Sequence, residues 1–201
     1  MTAATSSELP DISRRVIRLQ VLTIAWMTVE AVVSLVAARN SHSPSLFAFG
    51  GDSLVELLSA TAVFWRFRFE LNEARAARIA GALLIVLAGL VILTSVLNFL
   101  GYREAQRSPV GIGILLAAAF AMPWLAARKR QLAVITSSAA LNADAVESAL
   151  CGYMAWIALA GLAVNVIWGE WWADPAAALA LTPLICLEGW KAAKGRPCDC
   201  C

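Results

Sequence analysis

The feature that most constrains this chain is a set of six separate apolar blocks, each near the roughly 20 residues a helix needs to cross a hydrocarbon core. They fall at 16–38, 45–65, 79–100, 109–127, 139–168 and 172–190. Of the 201 residues, 60% are hydrophobic and 15% charged, whereas about a quarter of the residues of soluble domains are charged. Mean hydropathy is +0.72. The expectation is an all-α integral membrane protein, a bundle of six transmembrane helices over 16–190. A cytoplasmic segment, 1–15, precedes it and a short cysteine-containing cytoplasmic tail, 191–201, follows. The connections are too short for a second domain.

The net charge of +2 conceals an uneven distribution. With the blocks drawn as spans, thirteen of the 16 Lys and Arg fall on one side: Arg14, Arg15, Arg18, Arg66, Arg68, Arg75, Arg78, Arg128, Lys129, Arg130, Lys191, Lys194 and Arg196. Arg39, Arg103 and Arg107 fall on the other. Short loops rich in Lys and Arg stay cytoplasmic, which places both termini there, in a multi-pass protein of the plasma (inner) membrane. The Arg128-Lys129-Arg130 run abuts a span and reads as an orientation signal rather than a nucleic-acid patch. The first sixteen residues are polar and run into a block long enough to span, so the first helix is expected to remain in the membrane as no cleaved signal. Trp168, Trp171 and Trp172 flank the turn between the last two blocks, where indoles favour the interface.

Within these spans the acids divide. Glu70, Glu73, Glu104, Glu170 and Asp174 lie at boundaries or in loops and read as solvated charge. Glu30, Asp52, Glu56 and Glu147 lie several residues inside, where an ionised side chain costs at least about 2.5 kcal/mol. The second helix enters near Ser45 and carries Asp52 and Glu56 about 10 and 16 Å down its axis. The fifth enters from the opposite side near Ala139, with Glu147 and Cys151 about 12 and 18 Å along. All four can therefore meet near mid-membrane, and each pair, spaced i,i+4, faces one side of its helix.

Carboxylates and a thiol meeting between two helices have the make-up of a divalent-cation site, and four ligands suit a tetrahedral ion such as zinc. Without metal, one or more of these acids is expected to hold a proton, because buried like charges repel. Exchange of metal for protons then has a physical basis. The blander reading has the acids hydrogen-bonding one another or backbone in a closed bundle, although ionisable residues inside membranes mark pathways by default.

These residues resemble a known family. "DSLVE" in the second helix and "ADAVESALC" in the fifth are similar to motifs of the cation diffusion facilitators, six-helix metal/proton antiporters. That family carries Asp-x-x-x-Asp in helix two and His-x-x-x-Asp, preceded by Ala-Asp, in helix five. "SPSLFAFGGDS" and "WWADPAAALALTPLICLEGW" extend the similarity to the start of helix two and to the Ala-Asp-Pro start of helix six. Asp52 matches the first helix-two acid, and Glu56 the second, with Glu for Asp. Anchored on Ala143-Asp144, Glu147 matches the His and Cys151 the final Asp. The alternative register puts Asp144 in the site opposite Ala140 and loses a ligand.

The resemblance implies a proton-coupled exporter working by alternating access and a homodimer. Zinc fits best, with cadmium, cobalt, iron and manganese as alternatives; an oxygen-rich site with one thiolate suits borderline ions. The chain stops soon after Trp190, so it reads as a short form without the family's cytoplasmic domain. Cys198, Cys200 and Cys201 surround Asp199 in the tail, expected reduced, as a metal-capture tract or incidental thiols.

Glu30 is read as a proton carrier or hydrogen-bond partner before a ligand, and Asp144 as a helix-start acid, an entry group, or a partner for residues 128–130. Cys186 reads as core, His42 as a loop histidine, and Asn98, Asn142 and Asn165 as packing amides. Gly81, Gly89, Gly111, Gly113, Gly152 and Gly161 are placed for close helix contacts. No nucleotide-binding motif is present, and the membrane acids come with neither His nor a Ser/His/Asp set, so neither an ATPase nor another enzyme is expected. The competing function is a membrane metal-binding or sensing protein that holds the ion without moving it.

Overall fold

The computed structural model describes residues 9–66, 73–102, 105–136 and 139–194. Six helices lie among them: α1 (Leu9–Ser41), α2 (Pro44–Arg66), α3 (Glu73–Phe99), α4 (Pro109–Thr136), α5 (Ala139–Trp168) and α6 (Ala173–Ala193). Each covers one of the apolar blocks. Cys198, Cys200 and Cys201 lie outside the described residues, as do Arg68, Glu70, Arg103, Glu104 and Arg196.

Local chemistry sets several helix ends. Ser43 and Ser108 precede Pro44 and Pro109, and their Oγ atoms accept hydrogen bonds from the N–H groups of Leu46 and Gly111 at 3.2 and 3.1 Å. Each hydroxyl satisfies a donor too early in the helix for a helical partner, while proline at the first position gives up an N–H that had none. At the end of α3, Gly101 adopts φ 76°. Its N–H bonds to the carbonyl of Asn98 at 2.9 Å and that of Tyr102 to Leu97 at 3.1 Å. This paired closure needs a left-handed residue, which glycine supplies without a Cβ clash.

Among the described residues, four stretches are long and apolar enough to cross a bilayer: Arg14–Ser41, Gly81–Phe99, Pro109–Ile135 and Asp144–Trp168. The chain is a membrane protein. Large apolar side chains stand on the outside, among them Val32 and Val36 of α1, Val86 and Leu93 of α3, and Phe120 of α4. In water such faces would form an adhesive patch; against acyl chains they are solvated. α2 and α6 have 23 and 21 residues, but their apolar runs are broken by Asp52 and Glu56 in one and by Asp174 and Glu188 in the other.

The helices pack in a closed order, α1 against α4, then α5, α6, α3 and α2, and α2 again against α1. α2 also reaches α5 and α6. The centre is filled by Leu46, Phe49, Leu115, Met122, Met154, Leu162, Leu181 and Ile185, interleaved with alanines. Small residues let backbones approach. A Cβ on Gly81 of α3 would stand 2.5 Å from the N of Ala193 and 2.6 Å from the carbonyl oxygen of Gly189, both on α6. Gly111, Gly152 and Gly161 are similarly crowded, whereas Gly89 and Gly113 have open space within this chain where a side chain would stand.

One expectation changes here. The basic run 128–130 is not a connection beyond the fourth block but part of α4, which continues to Thr136. Lys129 is wholly buried. It lies on the stripe of Met122, Leu125 and Ala133 that α4 turns inward, so only its two arginine neighbours present charge to the outside.

Candidate metal centre

Asp52 and Glu56 stand one turn apart on α2, where the i,i+4 spacing aims both inward. Cys151 of α5 meets them. One ligand atom from each of Asp52, Glu56 and Cys151 lies within 4.8 Å of the other two. Ligand atoms around a tetrahedral zinc are roughly 3.3–3.7 Å apart, given bond lengths of ~2.0–2.3 Å. The three are therefore about an ångström of side-chain movement from a closed coordination shell. Asp52 and Cys151 are fully buried and Glu56 half-buried.

Asp52 is the most telling member, because both its carboxylate oxygens are buried without a hydrogen-bond partner. Buried polar atoms are normally paired, since an unpaired one costs about 1–3 kcal/mol. The closed-bundle alternative, acids satisfied by one another or by backbone, thus fails for Asp52. A thiol and two acids supply one soft and two hard donors, a set suited to zinc and its borderline neighbours. Binding would release any protons the ligands carry.

Glu147 does not join this group. It lies one turn from Cys151 on α5 but at the edge of that helix's buried face, and its side chain is exposed. It remains close enough to repel the charge of Asp52, as do Glu30 of α1 and Glu188 of α6. Glu30 is fully buried, and its two carboxylate oxygens also have no hydrogen-bond partner. Five carboxyl groups on four helices therefore share one field.

Glu188 is a member that sequence reasoning missed. It lies within the block 172–190, two residues before Trp190. Counting depth would have found it: α6 runs antiparallel to α5, so a residue near the end of one helix lies level with one near the start of the other.

Asp144 is no solvated helix-start acid. Its Oδ1 accepts a hydrogen bond from Lys129 Nζ at 2.8 Å, and its Oδ2 accepts one from Gln20 Nε2 of α1 at 2.7 Å. Lys129 Nζ also donates to Ser148 Oγ at 2.8 Å. The acid thus pairs with the middle member of 128–130, and the network ties α1, α4 and α5 together below the ligand cluster. Asp144, Ser148 and Cys151 share one face of α5, leading from the ion pair to the cluster.

Asp174 also departs from expectation, being fully buried rather than solvated. Its Oδ1 accepts a hydrogen bond from Ser43 Oγ at 2.9 Å and a second from Ser45 Oγ. These bonds fasten the start of α6 to the turn between α1 and α2. Nearby, Gln106 N donates to Ser41 O at 2.7 Å and Asn165 Nδ2 to Ala105 O at 3.0 Å. Asn98 Nδ2 bonds its own helix at Thr94 O, Cys186 packs against the core, and His42 forms the α1–α2 turn at φ 53°. Trp168, Trp171 and Trp172 are exposed around the α5–α6 turn.

No known family model matches this chain, and no curated protein matches it.

Proposed function

We propose that this protein is a proton-coupled divalent-cation transporter that carries zinc, or a borderline ion such as cadmium, cobalt, iron or manganese, out of the cytoplasm. The observation that carries the reading is the convergence of Asp52, Glu56 and Cys151 inside a membrane protein, with both oxygens of Asp52 unpartnered. A transported cation supplies the missing partner and neutralises like charges that otherwise repel.

In this reading all six helices span the bilayer and both termini are cytoplasmic, a topology supported by the lopsided Lys and Arg distribution. Glu147, exposed one turn from Cys151, receives the ion and passes it to the buried three. Glu188 and Glu30 add negative potential, which concentrates cations at the entrance. Because the acids and the thiol hold metal only when deprotonated, protonation and metal binding exclude each other, and protons take the metal's place as the site turns outward. Alternating exposure keeps metal and proton movement coupled. The resemblance of the α2, α5 and α6 motifs to the cation diffusion facilitators supports this reading, and with it a homodimer in the plasma (inner) membrane.

The test is flux. The full chain in sealed vesicles loaded with a metal-reporting dye should take up Zn²⁺ when the lumen is acidic, and Asp52→Ala should abolish the signal. Saturable Zn²⁺ binding with no flux under any pH gradient would instead identify a metal-holding or sensing protein.

A further inference from the structure

α4 and α5 are both among the stretches able to cross a bilayer, and between their outer faces runs a groove of about 240 Å³. Its walls follow from helical spacing. Pro123, Ala126, Ala127 and Arg130 line it from α4, and Ala149, Gly152, Tyr153 and Trp156 from α5. Each set recurs at three and four residues, so each forms one stripe along its helix. The floor is shallow because its residues are small. Gly152 lets the Pro123 ring close in, since a Cβ there would stand 2.9 Å from Pro123 Cδ.

The two ends of the groove differ chemically. Along α4 it extends from Pro123 to Arg130, seven residues or about 10 Å. The inner end is apolar and aromatic, with Trp156 set edge to face against Phe120 at 5.5 Å. The outer end is Arg130, which is exposed and forms no ion pair or hydrogen bond among the described residues. Arg128 is occupied by comparison, lying over the Trp124 ring at 5.6 Å and donating to Gln131 Oε1 at 3.4 Å. Arg130 follows Pro109 by 21 residues, about 31 Å of helix, which puts it at the headgroup level when Pro109 lies at the opposite boundary.

We infer that this groove binds an anionic phospholipid, its phosphate on the Arg130 guanidinium and the upper part of one acyl chain along Pro123, Ala126, Ala149 and Gly152. A groove on the bilayer-facing side of two spans is bathed in lipid, and the free guanidinium at headgroup depth selects a negative headgroup over a zwitterionic one. The exposed Tyr153 ring forms a rim that keeps the chain in place. The inference stands apart from metal transport, since none of the groove residues is among the three converging ligands.

The test uses the full chain in phosphatidylcholine vesicles containing a minor fraction of acyl-chain-brominated phosphatidylglycerol or, separately, brominated phosphatidylcholine. The readout is the part of tryptophan quenching that disappears in Trp156→Phe. Brominated phosphatidylglycerol should quench Trp156 at about fivefold lower mole fraction than brominated phosphatidylcholine, and Arg130→Gln should erase that preference. Ala149→Phe, which fills the groove and keeps the arginine, should reduce quenching by the anionic lipid to the phosphatidylcholine level. Equal quenching by the two lipids in the unaltered protein means ordinary boundary lipid and overturns the inference. So does a preference that survives Arg130→Gln, or a Trp156 that neither lipid quenches because a second copy covers the groove.

Discussion

Asp52 and Asp174 are the same residue type, and both are wholly buried, yet Asp174 has donors on one of its oxygens and Asp52 on neither. Asp174 receives two serine hydroxyls and fastens the α6 start to the α1–α2 turn. Asp52 receives nothing on either oxygen and faces a thiol and a second acid. One carboxylate has been given donors by the fold; the other has been left without them, beside two further potential ligands. Burial alone therefore does not distinguish a structural acid from a ligand, whereas the count of donors does.

Four measurements bear on that contrast. The largest effect is expected from Asp52→Ala, which should weaken Zn²⁺ binding by at least about 100-fold, more than loss of a supporting residue outside the coordination shell. It should not lower thermal stability without metal, because it removes an unsatisfied group. Asp174→Ala should do the reverse: a stability loss of about 1–3 kcal/mol from orphaned hydroxyls, with metal affinity intact by calorimetry. If the two variants behave alike, the distinction by donors fails.

Lys129→Met comes next. Removing the ammonium leaves Asp144 with Gln20 as its remaining donor and should cost about 1–2 kcal/mol, reduced from the fully buried case because the Asp144 side chain is 31% exposed. Chemical denaturation in detergent would measure it. The smallest effect is expected from Glu147→Gln. As a receiving group outside the buried three, it should slow metal uptake at low concentration by about threefold to tenfold, with little change in binding at saturation. An effect as large as that of Asp52→Ala would make Glu147 a ligand.

The six helices were legible because apolar length is a strong signal that survives errors of a few residues. The meeting of Asp52, Glu56 and Cys151 was legible from depth and i,i+4 spacing alone. What stayed hidden depended on direction round the helix. Lys129 looks like one of three basic residues, and only its alignment with Met122, Leu125 and Ala133 turns it inward. Glu147 has the right depth but falls at the edge of the α5 face. Asp174 sits beside two exposed tryptophans, which made solvation the natural expectation; its serine partners lie more than a hundred residues earlier.

The contact of α2 with α1, α3, α5 and α6 has a mechanical consequence. Where Gly81 and Gly189 bring α3 and α6 backbone to backbone, and Gly152 admits Pro123 between α4 and α5, there is little slack for either pair to slide within itself. Relative movement of the two pairs would then fall on the α5–α6 contact and on the surfaces α2 shares with α3, α5 and α6. Two of the three converging ligands ride on that one helix and the third on a neighbour it touches, so the spacing between Glu56 and Cys151 works as a ruler for the displacement of one half of the bundle against the other.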